Sequence, residues 1–144
     1  MMPSMEKIES NSRNKSQEMA LQLMYSFLID QDLNIPIDFE KAVSEMEKKP
    51  YEECDIFLKE ILIKSLQHEN DIVGYCEEFL TKWKFKRLNY CSQAILILSI
   101  ANYEYIRDSD KAVIINVAIK LAKKYCEEND YKYINAVLDK CLND

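Results

Sequence analysis

Apolar residues return along most of the chain at spacings of three and four, the period of a helix with one buried face. Met19, Ala20, Leu23, Met24, Phe27 and Leu28 make the first such stripe, in a helix expected to start near Ser12 and to stop before the Asn-Ile-Pro turn at 34–36. Asp38 is placed to cap a short helix with Phe39, Ala42, Val43 and Met46 inward, and Pro50 ends it or opens the next element. Phe57, Leu58, Ile61, Leu62 and Ser65 share the face of a third helix; 70–83 reads as a fourth through Ile72, Tyr75, Cys76, Phe79 and Leu80. Residues 88–106 are apolar nearly all round, as in a helix at the centre of a fold. Two stripes close the chain: Ile114, Val117, Ala118, Leu121, Ala122 and Tyr125, then Ile134, Val137, Leu138 and Cys141, with Asp130 as the expected cap of the last helix. Asn116 and Asn135, beside these stripes, are expected to be partly buried and hydrogen-bonded across helices. No segment alternates with a period of two. The pattern predicts an all-α protein of about seven helices packed as bundles, with 1–11 a mobile tail and 12–144 one domain.

Composition narrows the choice. One glycine and three prolines in 144 residues leave few tight turns and no glycine-rich phosphate loop. The net charge of −6, taken alone, argues against a nucleic-acid binder, though a local basic patch can act on an acidic body. Cysteines 54, 76, 91, 126 and 141 are odd in number and include no Cys-x-x-Cys pair. They are expected to be reduced thiols packed as small hydrophobes in a cytoplasmic protein, with no disulfide and no zinc. The N-terminus lacks the apolar core of a secretory signal, and the longest apolar run, near 94–101, is too short to span a bilayer.

The residues that carry chemistry are few. His68 stands alone at a helix junction, a surface histidine rather than a base or ligand. The paired glutamates 52–53, 77–78 and 127–128 read as solvated faces, and no hydrolase or metalloenzyme motif is present. The expectation is therefore no catalysis, no cofactor and no metal. The start of the first helix is different: Arg13, Asn14, Lys15 and Gln17 bring two cations and two amides to a place where a phosphate can be held. Tyr25, further along that helix, could stack an unpaired base. A solvated helix start with a tyrosine at the core edge accounts for the same residues.

Longer motifs sharpen the reading. Ile115-Asn116-Val117-Ala118-Ile119-Lys120-Leu121-Ala122-Lys123 and Lys132-Tyr133-Ile134-Asn135-Ala136-Val137-Leu138-Asp139 resemble the paired C-terminal motifs of the NusB family. Gln17 to Tyr25 is similar to that family's first helix. Trp83, Arg87-Leu88 and Ala94-Ile95-Leu96 follow its middle in order, so the resemblance covers about 12–142. It implies an all-α fold of two packed small helical bundles and a transcription antitermination factor that binds boxA-type single-stranded RNA together with NusE, a small-subunit ribosomal protein. Such a factor joins the RNA polymerase antitermination complex, notably on ribosomal RNA operons, without catalysis or cofactor. The implied RNA-contacting residues are Arg13, Asn14, Lys15, Gln17, Tyr25, Asn129, Tyr131 and Lys132. The chain departs from the family pattern in keeping only two cations in an arginine-rich segment. It also has Val117 for a glutamate, Ala136 for a glycine, Tyr125-Cys126 for Phe-Gly, and Asn129 where aspartate is common. Fewer cations predict weaker RNA binding with a shallower salt dependence. The alternative is a helical interaction module that binds NusE and reads RNA poorly. A third reading, the RNA-binding domain of an RNA methyltransferase, is set aside because no methyltransferase domain follows Asp144.

Overall fold

The computed structural model describes the backbone of residues 5–143 and the side chains of 12–143. Among these residues there are seven α-helices and no strand: α1 (Met5–Asp32), α2 (Phe39–Glu47), α3 (Ile56–Gln67), α4 (Glu69–Glu77), α5 (Tyr90–Ala101), α6 (Lys111–Tyr125) and α7 (Asp130–Cys141). α1 begins ahead of Ser12, so part of the expected tail is drawn as helix. Residues 1–4, and the side chains of 5–11, lie outside what is described.

The central helix is the one with no polar face. Cys91 through Ala101 are all buried, and α5 packs against α1, α3, α4, α6 and α7. Burial on every side is what an all-apolar helix requires. Two groups of helices share it: α1, α2 and α3 on one hand, and α7 with α4 and α6 on the other. Their inward stripes include Met24, Leu58, Leu62, Ile114, Ile134 and Leu138, each under 3% exposed.

Side-chain caps set where several helices start. Asp38 accepts from the Lys41 N–H, Asp55 from Leu58, Asn89 from Ser92 and Asp110 from Val113. Asp55 also accepts from Ser16 Oγ at 2.9 Å, which satisfies a buried hydroxyl of α1. Pro50 opens a 3₁₀ turn, Tyr51–Glu53.

Four local expectations are corrected. α4 stops at Glu77 instead of continuing to 83, because Phe85 is drawn into the core and its N–H is taken by the Glu77 carboxylate at 3.0 Å. The helix expected over 88–106 starts at Tyr90, and its last five residues, Asn102–Ile106, widen to a π-helix closed by Arg107 in the left-handed region. This segment carries Tyr105, whose ring stacks on His68 at 3.8 Å. Asp130 does not cap α7: Asn129 is the cap residue, at φ 77°, and makes no side-chain cap bond. The Asp130 carboxylate turns back to accept from the Glu127 N–H at 3.0 Å and from Asn89 Nδ2 at 2.8 Å. Asn116 and Asn135 are exposed, not partly buried bridges between helices, because the stripes meet the core through their apolar members alone.

The cysteines divide. Cys54, Cys76 and Cys141 are buried free thiols, as expected. Cys91 and Cys126, expected to be reduced, form a disulfide between the start of α5 and the end of α6. They lie 35 residues apart, with no local motif to announce them; helix packing brings their Cα atoms to 5.7 Å.

Candidate nucleic-acid interface

The flank of α1 that turns toward α6 carries Asn14, Glu18, Gln22 and Tyr25, spaced by four, four and three residues and so stacked along one side of the helix. α6 answers with Lys120, Lys124 and Tyr125 in its last turns. Asn14, Gln17, Glu18, Lys120 and Lys124 line a groove of about 290 Å³ between the two helices. Glu18 bridges it. Its carboxylate accepts from Lys124 Nζ and, at 3.0 Å, from the Tyr125 hydroxyl, which in turn accepts from Gln22 Nε2 at 3.5 Å. The Lys124 and Tyr125 hydrogen bonds hold the Glu18 carboxyl below its ordinary pKa. The bond to Glu18 raises the Lys124 ammonium above its own.

One step along, the groove opens into a cavity of about 460 Å³. Tyr25, Tyr90, Tyr125, Lys86, Asn89 and Gln93 line it, with both disulfide cysteines in its wall. Tyr25 is 43% exposed and stands edge-on to Tyr90 at 6.1 Å. The Tyr90 hydroxyl donates to Asp32 at 2.5 Å, a bond that raises the phenol pKa. Past the cavity the α6–α7 turn presents Asn129, Tyr131 and Lys132. Lys123 Nζ lies 4.7 Å from the centre of the Tyr131 ring, and Lys132 Nζ lies 6.0 Å from it.

The residues singled out from the sequence thus fall into four places. Asn14, Gln17 and Tyr25 share the α1–α6 flank, and Asn129, Tyr131 and Lys132 form its far end. Arg13 lies apart, turned toward α3, where its guanidinium covers the Phe57 ring at 3.9 Å and pairs with Asp108 at 3.3 Å. Lys15 is exposed, two residues on from Arg13 and so about 200° around α1 from it. Sequence reasoning missed Lys86, Tyr90, Lys120, Lys124 and Tyr125. The run Lys-Leu-Ala-Lys-Lys-Tyr at 120–125 carried a signal, but Tyr125 sat in register with a core stripe. It is 38% exposed and lines the cavity instead.

Cations that alternate with accessible tyrosine rings along a groove suit a flexible polyanion with planar bases, such as a single-stranded nucleic acid. Among the described residues no cluster of histidine, cysteine or carboxylate side chains could hold a metal ion, and no helix is long and apolar enough to cross a membrane.

These features define an all-helical protein with a lysine- and tyrosine-lined flank. The chain belongs to the NusB family, whose model matches residues 14–143. It is 32% identical over 134 residues to the transcription antitermination protein NusB of Finegoldia magna, covering 91% of this chain and 93% of that one. The protein of the same name from Buchnera aphidicola subsp. Cinara cedri is 36% identical over 134 residues, covering 92% and 91%. Among solved structures, T. maritima NusB superposes with a TM-score of 0.75 at 23% identity, covering 90% of this chain and 89% of that one. A chain in "Crystal Structure of a Plectonemic RNA Supercoil" does so at 0.71 and 24%, covering 90% and 92%. At these identities the likeness speaks of the fold.

Proposed function

We propose that the protein is a transcription antitermination factor that binds boxA-type single-stranded RNA along the α1–α6 flank. It acts in the cytoplasm with NusE and the RNA polymerase antitermination complex, and catalyses no reaction. The observation that carries this reading is that Lys120 and Lys124 line the groove and Tyr25 and Tyr125 the neighbouring cavity, with Lys124 and Tyr125 joined through Glu18, in a chain of this family. Phosphates run past Asn14, Gln17, Lys120 and Lys124, and a base stacks on Tyr25. The strand then reaches Asn129, Tyr131 and Lys132 at the start of α7, where the Lys132 ammonium meets a phosphate and the Tyr131 ring a base. Arg13 and Lys15 act at the edge of this track.

A second reading is a helical module that binds NusE and has weak or no RNA affinity. It is favoured by the occupation of two cations within the protein, Arg13 by Asp108 and Lys124 by Glu18. Binding of boxA-like and scrambled RNA at two salt concentrations, with and without NusE, separates the two. The antitermination reading expects preference for the boxA-like strand, strongest with NusE and falling as salt rises. Equal, weak binding of both strands with NusE present gives the second reading first place.

A further inference from the structure

The Cys91–Cys126 bond sits in the wall of the tyrosine-lined cavity rather than deep in the core. We propose that this pair is a reversible thiol–disulfide exchange site, sensitive to low-molecular-weight disulfides such as oxidised glutathione, and that the bond holds the α6–α7 turn in its RNA-binding shape. Its effect on RNA rests on the function proposed above; the exchange itself does not.

Three features single this pair out. The first is position. Cys126 is the C-terminal cap residue of α6, directly after Tyr125 and three residues before Asn129, and Cys91 is the second residue of α5, two after Asn89. The bond therefore fastens the end of α6 to the start of the central helix. Close to it the exposed Asn89–Asp130 hydrogen bond, 2.8 Å long, ties the start of α5 to the start of α7. The second is access. Cys126 is partly exposed, whereas Cys91 is 9% exposed and the free thiols Cys54, Cys76 and Cys141 are buried. The third is chemistry. Cys91, in the first turn of α5, has its thiolate favoured by the helix dipole, which suits it to the second, bond-closing attack on a mixed disulfide at the more accessible Cys126.

Formation runs in two balanced steps. The Cys126 thiol loses its proton, and its sulfur attacks one sulfur of oxidised glutathione. That S–S bond breaks, and one glutathione leaves as thiolate and takes up the proton. Cys91, likewise deprotonated, then attacks the Cys126 sulfur of the mixed disulfide and expels the second glutathione. Two protein thiols are oxidised and one glutathione disulfide is reduced to two thiols. Excess reduced glutathione drives the reverse.

The test uses the full-length protein equilibrated across ratios of reduced to oxidised glutathione, quenched, alkylated and mapped by mass spectrometry. The expected result is a Cys91–Cys126 bond at oxidising ratios and two alkylated cysteines at reducing ones. Hydrogen exchange of the two forms is then compared: amides of residues 123–132 should exchange about tenfold faster in the reduced form, with the α5 interior unchanged. Single-stranded RNA should bind the oxidised form about threefold or more tightly, the gain coming from preorganisation. Cys126→Ser should exchange like the reduced form at every ratio. The proposal is overturned if both cysteines stay alkylatable throughout, if the bond survives a large excess of reduced glutathione, or if the two forms show the same exchange at 123–132. If neither form binds RNA, the functional reading falls, while alkylation and hydrogen exchange still decide for or against the site.

Discussion

Glu18 stands in the track proposed for RNA, and its removal should strengthen binding. Its carboxylate occupies Lys124 and accepts from Tyr125, so a phosphate that approaches Lys124 must displace a like charge. Glu18→Gln keeps the shape and an oxygen able to accept from Tyr125, but deletes the charge. For single strands each neutralised phosphate steepens the plot of log K against log salt by about 0.7. One freed lysine is then worth about fourfold in affinity at ~0.15 M salt relative to ~1 M, or about 0.8 kcal/mol. The side chains of Lys124 and Glu18 are 61% and 31% exposed, and a pair so open to water contributes little to folding, so the variant should melt close to the wild type. Fluorescence anisotropy of a labelled boxA-like strand, titrated across salt, measures both affinity and slope. Tighter binding with a slope steeper by about 0.7 is expected. Lys124→Ala placed on Glu18→Gln should cancel the gain. Unchanged or weaker binding by a normally folded Glu18→Gln protein would refute the reasoning, since Glu18 would then be orienting Tyr125 or lying off the RNA path.

Leu138 is fully buried in α7, so Leu138→Ala should cost about 2–4 kcal/mol in urea unfolding; a loss under ~0.5 kcal/mol would mean that α7 packs less tightly than described. The Glu18 carboxyl is depressed on folding, so its contribution is present above the unfolded-state pKa and is lost as the pH falls through the lower folded value. Thermal melting from pH 6 down to about pH 3 should therefore show a shallower acid limb in Glu18→Gln than in the wild type, and identical limbs would remove the linkage.

Helical periodicity alone was enough to locate α1, α2, α3, α6 and α7 and to place α5 at the centre, because a stripe or an all-round apolar surface declares how much of a helix must be buried. The cap at Asp38 is likewise local: a side chain two or three residues from an open N–H needs no tertiary partner. The paired C-terminal motifs were enough to indicate the family. Other features were settled by contacts between distant segments. Glu77 reaching Phe85, and Asn89 turning Asp130 away from its cap, are outcomes of packing that no window of sequence contains. The site divides in the same way. Asn14, Gln17 and Tyr25 were readable as polar and aromatic residues along one helix. That Lys120, Lys124 and Tyr125 face them depends on how α6 lies against α1, more than 90 residues away in sequence. Arg13 shows the converse: its charge was plain in the sequence, but its direction was decided by Phe57 and Asp108. The disulfide is the clearest case. Thirty-five residues separate Cys91 from Cys126, and only the packing of α5 and α6 brings the two sulfurs within bonding reach.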